Sequence, residues 1–182
     1  MSRGSLAAGA VLAVAVVLLV VAGAYGIELD GDGSAGPSPL LDGPAPDIAI
    51  SLLDGTGEIA AGDFRGDILV LHFWSPACPA CVAERTALLD LAVAYEAFGV
   101  TVVTVLVQGT PAAGRTFLGE NGRSPLVSDA FDPDSEVALA YGVGPVPATY
   151  FIDRAGTVAG KVAGAAGFDL MGATIDTIIV GP

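Results

Sequence analysis

The 182-residue sequence is short of the residues from which metal centres, nucleic-acid surfaces and stapled scaffolds are made: two cysteines, one histidine, one tryptophan and a single lysine. A structural zinc site needs four ligands, and Cys78, Cys81 and a histidine inside a strand-like run do not supply them. A disulfide framework is not needed either, because a chain of this length can bury its own core. The cysteines are therefore free for chemistry.

Positive charge is scarce as well. Past residue 26, six basic residues (Arg65, Arg85, Arg115, Arg123, Arg154 and Lys161) face all 20 acidic ones, a balance of −14. Phosphate binding needs clustered Lys and Arg, so nucleic acid is excluded as a partner, and an anionic membrane surface would repel such a domain. What remains is a soluble acidic domain, able to attract a basic partner protein.

Hydrophobic residues are 53% of the whole, but the excess lies near the N-terminus. Residues 6–27, LAAGAVLAVAVVLLVVAGAYGI, carry no charge, and at about 1.5 Å per residue they reach roughly 33 Å, enough to cross a bilayer core. Arg3 precedes the run, and Glu28, Asp30 and Asp32 follow it. The positive-inside tendency then places residues 1–5 in the cytoplasm and the rest of the chain outside, as a single-pass membrane protein. Ala22-Gly23-Ala24 also fits a signal-peptidase site, so secretion after cleavage is the alternative. Residues 28–43, rich in Gly, Pro, Ser and Asp, read as a flexible linker. A folded domain is expected over residues 44–182.

Within that domain short β-rich runs alternate with helical ones, the pattern of an α/β layer fold. Residues 48–53 and 58–60 flank Asp54-Gly55-Thr56-Gly57 as an N-terminal β-hairpin extension. Residues 68–74 form an apolar run interrupted only by His72 and read as a buried central strand. A helix over 79–98, ended by Gly99, leads to a second buried strand over 100–107. Further expectations are a helix near 112–120, a strand near Leu126, a helix over 134–141, an antiparallel pair at 148–152 and 157–163, and a closing helix over 168–180.

Cys78-Pro79-Ala80-Cys81 falls where the buried strand gives way to a helix. The unpaired N–H groups and positive dipole end of a helix N-terminus stabilise a thiolate at Cys78, and Pro79 costs no hydrogen bond in the first turn. Cys81, one turn on, is placed to resolve a mixed disulfide formed on Cys78. A purely structural bridge would close a very short loop and gain little. The pair is itself the redox group, so no cofactor is expected.

The sequence resembles the TlpA/ResA/DsbE group of membrane-anchored thioredoxin-like proteins. The matching stretches are Gly43-Pro44-Ala45-Pro46-Asp47-Ile48, Asp63-Phe64-Arg65-Gly66, Phe73-Trp74, the cysteine motif with Glu84, Phe131-Asp132, and the run from Tyr141 through Gly144-Pro145-Val146-Pro147 to Asp153. This resemblance implies a thioredoxin-like fold with a central mixed sheet of four or five strands flanked by helices. It also implies a cis peptide at Val146-Pro147 facing the cysteines, with Pro147 part of the catalytic site and Val146 offering its backbone to an extended substrate. Trp74 and Pro76 are expected to join Val146 and Pro147 in substrate binding. Glu84 matches the group's acid three places after the second cysteine, where a carboxylate can relay protons; a plain helix-surface acid is the competing reading. Ala77 replaces the usual aromatic before Cys78, Arg85-Thr86 replaces a Met-Pro-like continuation, and His72 stands where thioredoxins carry a buried acid. His72 reads as either a proton relay or a hydrogen-bonded core histidine.

The function expected from the resemblance is extracytoplasmic thiol-disulfide exchange with protein partners, reducing disulfides such as those of apocytochrome c. Electrons would come from a membrane donor of the DsbD or CcdA type. Three alternatives stand beside it: a thiol oxidase or isomerase, a peroxiredoxin-type peroxidase, and a non-catalytic assembly scaffold. The peroxidase reading lacks its Pro-x-x-x-Thr-x-x-Cys pattern, since Trp74 stands four places and Ser75 three places before Cys78.

Overall fold

Strand β4, Ile68–Trp74, is buried at every position and forms the axis of the molecule. The computed structural model describes residues 34–35 and 38–181. The anchor expected at 6–27 and the cytoplasmic segment before it lie outside these residues, and no helix among the described residues is long and apolar enough to cross a membrane.

From β4 the chain passes through helix α1, Pro79–Tyr95, to the parallel strand β5, Val100–Leu106. It continues through α2, Pro111–Asn121, to β6, Val127–Phe131, again parallel. The short helix α3, Glu136–Ala140, leads to β7, Ala148–Ile152, which lies antiparallel on the other side of β4. Strand β8, Val158–Ala163, pairs with β7, and α4, Phe168–Val180, closes the chain. Upstream, β2 (Ala49–Leu52) and β3 (Glu58–Ala60) form a hairpin that extends the sheet from β6, and the two-residue β1 (Ser34–Ala35) pairs with β8. The order is β1-β8-β7-β4-β5-β6-β2-β3, a mixed sheet of eight strands. The four or five strands implied by the resemblance are its central block, and the added strands satisfy what would otherwise be open edges.

Alternation along the strands divides the core. Leu69, Leu71 and Phe73 point to one face, where they pack with Val103, Val105, Tyr150 and the α3 residues Val137 and Ala138. Ile68 and Val70 point to the other, under Leu88, Leu91 and Ala92 of α1 and Met171 and Ile175 of α4. At the C-terminal end of β4, Trp74 and Cys81 meet Leu53, Leu106, Phe117 and Leu118. That end carries the cysteines.

Three expectations are corrected. The first long helix stops at Tyr95, residues 96–98 form a 3₁₀ turn, and Gly99 takes φ 68°, a left-handed stop. The helix expected over 134–141 is only Glu136–Ala140, because Asp132 turns its carboxylate onto the Val137 and Ala138 N–H groups and caps it late. Of the segment read as linker, residues 38–43 are a turn laid on the core. Asp42 N–H donates to Val158 O at 3.0 Å, Val158 N–H to Gly43 O at 2.9 Å, and Leu40 and Leu41 are half-buried. Two leucines outweigh the Gly and Pro around them by covering apolar surface.

Candidate active site

The site grows out of the end of β4. After Trp74 the chain turns through Ser75, whose carbonyl accepts Cys78 N–H at 3.2 Å and whose Oγ accepts Ala77 N–H at 3.3 Å. Cys78 is the N-cap of α1, with extended backbone (φ −96°, ψ 108°), and Pro79 opens the helix. The Cys78 sulfur accepts the Cys81 N–H at 3.1 Å, as an N-cap oxygen would. Cys78 and Cys81 are joined in a disulfide, with Cα atoms 5.3 Å apart. The two sulfurs are not equivalent: Cys78 is partly exposed and Cys81 is buried.

Three further loops converge on the pair. The Val146-Pro147 peptide is cis, and the Val146 carbonyl oxygen lies 3.7 Å from Cys78 Sγ across 68 residues of sequence. Gly164 N–H donates to Pro147 O at 2.9 Å, tying the loop after β8 to the proline. The same loop supplies Ala166 N–H to Glu84 Oε1 at 3.3 Å. Pro76, half-buried, packs near Gly109 of the loop after β5.

Glu84 is not a surface acid; it is only 2% exposed. Burial pushes its carboxyl up to about 8, against the opposing pull of the Ala166 N–H, and Oε2 has no hydrogen-bond partner among the described residues. His72 is equally buried, with Nδ1 3.0 Å from Thr149 Oγ1 and 4.0 Å from Glu84 Oε1. Burial, assisted by the Arg85 charge, holds the imidazole down at about 3. Near neutral pH both groups are uncharged, so their approach is not an ion pair. His72 is thus a hydrogen-bonded core histidine, and it also stands beside the buried acid.

Arg85, only a departure from the group's pattern in the sequence, is 3% exposed. It donates to both carboxylate oxygens of Asp129, at 3.0 and 3.4 Å, and to Gly122 O at 3.1 Å, while Thr104 Oγ1 donates to Asp129 at 2.6 Å. A signal for it existed: positions 81, 84, 85, 88, 91 and 92 are the inward face of α1, so a helix drawn with its period turns both Glu84 and Arg85 inward. The partners Thr149, Asp129 and Ala166 carried no such signal, because each comes from a distant strand or loop.

Trp74 differs from expectation. The residue is 2% exposed and its ring lies 4.5 Å from that of Phe117, with Nε1 unpartnered among the described residues, so it supports the cysteine helix from beneath and offers a bound polypeptide almost no surface. Val146 and Pro76 remain partly exposed beside Cys78, and Pro147 is buried behind them.

Residues 41–161 match the AhpC/TSA family. Thiol:disulfide interchange protein HelX of Rhodobacter capsulatus is 30% identical over 169 residues, covering 90% of this chain and 93% of that protein. Thiol-disulfide oxidoreductase ResA of Bacillus thuringiensis is 29% identical over 150 residues, 82% of this chain and 85% of its own. Among solved structures, a DsbE-type thiol:disulfide interchange protein from Chlorobium tepidum superposes with a TM-score of 0.69 at 26% identity, over 80% of this chain and 99% of that one. With an exposed and a buried sulfur at a helix N-terminus and these relatives along nearly its whole length, the chain belongs to the AhpC/TSA family, as a thioredoxin-fold thiol-disulfide oxidoreductase related to the ResA, DsbE, TlpA and HelX proteins.

Proposed function

We propose that this oxidoreductase works outside the cytoplasm, tethered by residues 6–27, and reduces disulfides of protein partners. The observation that carries the reading is the asymmetry of the pair: Cys78 is reachable beside Val146 O, while Cys81 is enclosed one turn from a protonated buried acid.

In the reduced protein the Cys81 N–H and the helix N-terminus favour a thiolate at Cys78. That thiolate attacks a partner disulfide laid along the Val146-Pro147 backbone, and the partner's other sulfur leaves. In the fraction of molecules whose Glu84 is ionised, Cys81 then gives its proton to that carboxylate and attacks Cys78 Sγ, which releases the partner as a dithiol. An acid that titrates at about 8 is well matched to this transfer near neutral pH. Re-reduction in an oxidising compartment requires electrons from across the membrane, which points to an integral donor of the DsbD or CcdA type. Apocytochrome c cysteines awaiting haem are the substrate class suggested by the resemblance.

The test is trapping. Cys81→Ala should hold Cys78 in a stable mixed disulfide with its natural partner, visible as a reducible adduct, and absence of any adduct under reducing or oxidising growth would defeat the reading. The reduction potential decides direction: a value close to that of DsbA would make the protein an oxidase.

A further inference from the structure

The proposed chemistry leaves two buried polar side chains beneath α1 without a task, His72 and Thr149. Thr149 of β7, His72 of β4, Thr104 of β5 and Asp129 of β6 are cross-strand partners in register, so one polar line crosses four strands under the helix. Consecutive helix residues close it from above, Glu84 over the His72 end and Arg85 over the Asp129 end.

At the Arg85 end the carboxylate of Asp129 is satisfied by Arg85 and Thr104. At the other end Glu84 has Ala166 N–H on one oxygen and nothing on the second. Yet Glu84 must exist as a carboxylate at the instant Cys81 is deprotonated, and a buried carboxylate with one hydrogen bond is costly. The contacts it makes are with Ala166 N–H and with His72, and the elements nearby carry few ionisable groups. From α1 come Cys78, Cys81 and Arg85, of which Arg85 is engaged by Asp129 of β6. β7 contributes the uncharged Thr149, the loop over 164–167 contributes backbone only, and β4 contributes His72. The α4 acids Asp169 and Asp176 are exposed. His72, whose Nδ1 lies 4.0 Å from Oε1, is the group left to favour the anion, through the dipole of its ring rather than a hydrogen bond.

We propose that His72, held by Thr149, is a positioning residue for Glu84 and acts by stabilising the Glu84 carboxylate while Cys81 gives up its proton. The inference rests on the exchange reaction proposed above. In the resolving step the Cys81 S–H bond breaks and its proton goes to Glu84. The S–S bond between Cys78 and the partner breaks, the Cys78–Cys81 bond forms, and the partner sulfur leaves with the electron pair and is protonated by solvent. The dithiol loses two electrons and the partner disulfide gains two; His72 begins and ends the step unchanged.

The experiment follows oxidation of the reduced full chain in detergent by oxidised glutathione as a function of pH, with the Glu84 carboxyl infrared band recorded in parallel. Glu84→Gln identifies the inflection and the band that belong to Glu84. His72→Leu is expected to move both upward by about one pH unit, a roughly tenfold loss of ionised Glu84 below that inflection. Thr149→Val keeps the ring but frees it, and is expected to move both in the same direction by less; it carries the test if His72→Leu does not fold. Slower exchange or lower stability with both midpoints unmoved would overturn the proposal and leave His72 a packing residue. Absence of Cys78-dependent oxidation in the unmutated chain would instead defeat the exchange reading, and the infrared midpoints would still decide the role of His72.

Discussion

Glu84 and Arg85 are neighbours on one helix and are buried to nearly the same degree, yet they sit in opposite electrostatic conditions. Arg85 is charged and each of its three guanidinium nitrogens is partnered: two contacts to Asp129, one to Gly122, with Thr104 completing the carboxylate. Glu84 is neutral, with an oxygen left open and an uncharged imidazole beside it. A saturated ion pair fixes geometry, whereas an unsaturated acid is free to take and return a proton. The difference separates the half of the polar layer that holds α1 on the sheet from the half proposed to serve the cysteines.

The sharpest way to break this comparison is pH. In the folded protein Glu84 keeps its proton up to about 8, whereas an ordinary glutamate releases it near 4.5, so between those values the folded state binds more protons than the unfolded one. The contribution of Glu84 to the stability of the oxidised protein should therefore fall from about pH 4.5 to about 8 by an amount on the order of a few kcal/mol, then level off. His72 acts with the opposite sign in a lower, overlapping window: its imidazole is neutral down to about 3 in the fold but to 6.5 when unfolded, so its contribution rises with pH between those values, offsets that of Glu84 up to about 6.5, and leaves the net decline to the range from about 6.5 to about 8. Urea denaturation of Glu84→Gln should lose the decline toward pH 8; a decline that persists would mean that another group causes it.

Next in size is the other half of the layer. Arg85→Met leaves the Asp129 carboxylate without its cation and should cost about 3 kcal/mol, somewhat less than a fully enclosed pair because Asp129 is partly exposed. The pH inflection of exchange should stay close to its original place. A large shift with little loss of stability would reverse the assignment of the two halves. Glu84→Gln should slow release of the mixed disulfide about 100-fold in stopped-flow measurements, the scale of a lost proton acceptor, while the first attack by Cys78 is much less affected. The smallest effect is expected at Trp74. Trp74→Phe removes an unpartnered buried N–H and leaves a small void against Phe117, two opposing changes that should hold the net stability change within about 1 kcal/mol.

Parts of this arrangement were legible in sequence because they depend on near neighbours. The apolar run over 68–74, interrupted only by His72, names the central strand, Pro79 and the cysteine spacing name a helix start, and Gly99 names its end. The family motifs carried the cis Val146-Pro147 peptide across 68 residues, which no local pattern does. Trp74 shows the limit. Beside a cysteine motif it reads as a rim residue, but strand alternation turns it under the helix, and Phe117 covers it.

The sequence by itself determined which residues are available for chemistry: two cysteines one helical turn apart, an acid three places on, one histidine and a chain too acidic for nucleic acid. Only the tertiary structure decided their states. Whether Glu84 carries a proton depends on its burial by the fold, opposed by the N–H of Ala166, 82 residues away, and whether His72 is neutral depends on its burial and on the charge of Arg85. Charge is a property of the surroundings, because the cost of ionisation is set by the solvent and partners that a fold removes or supplies.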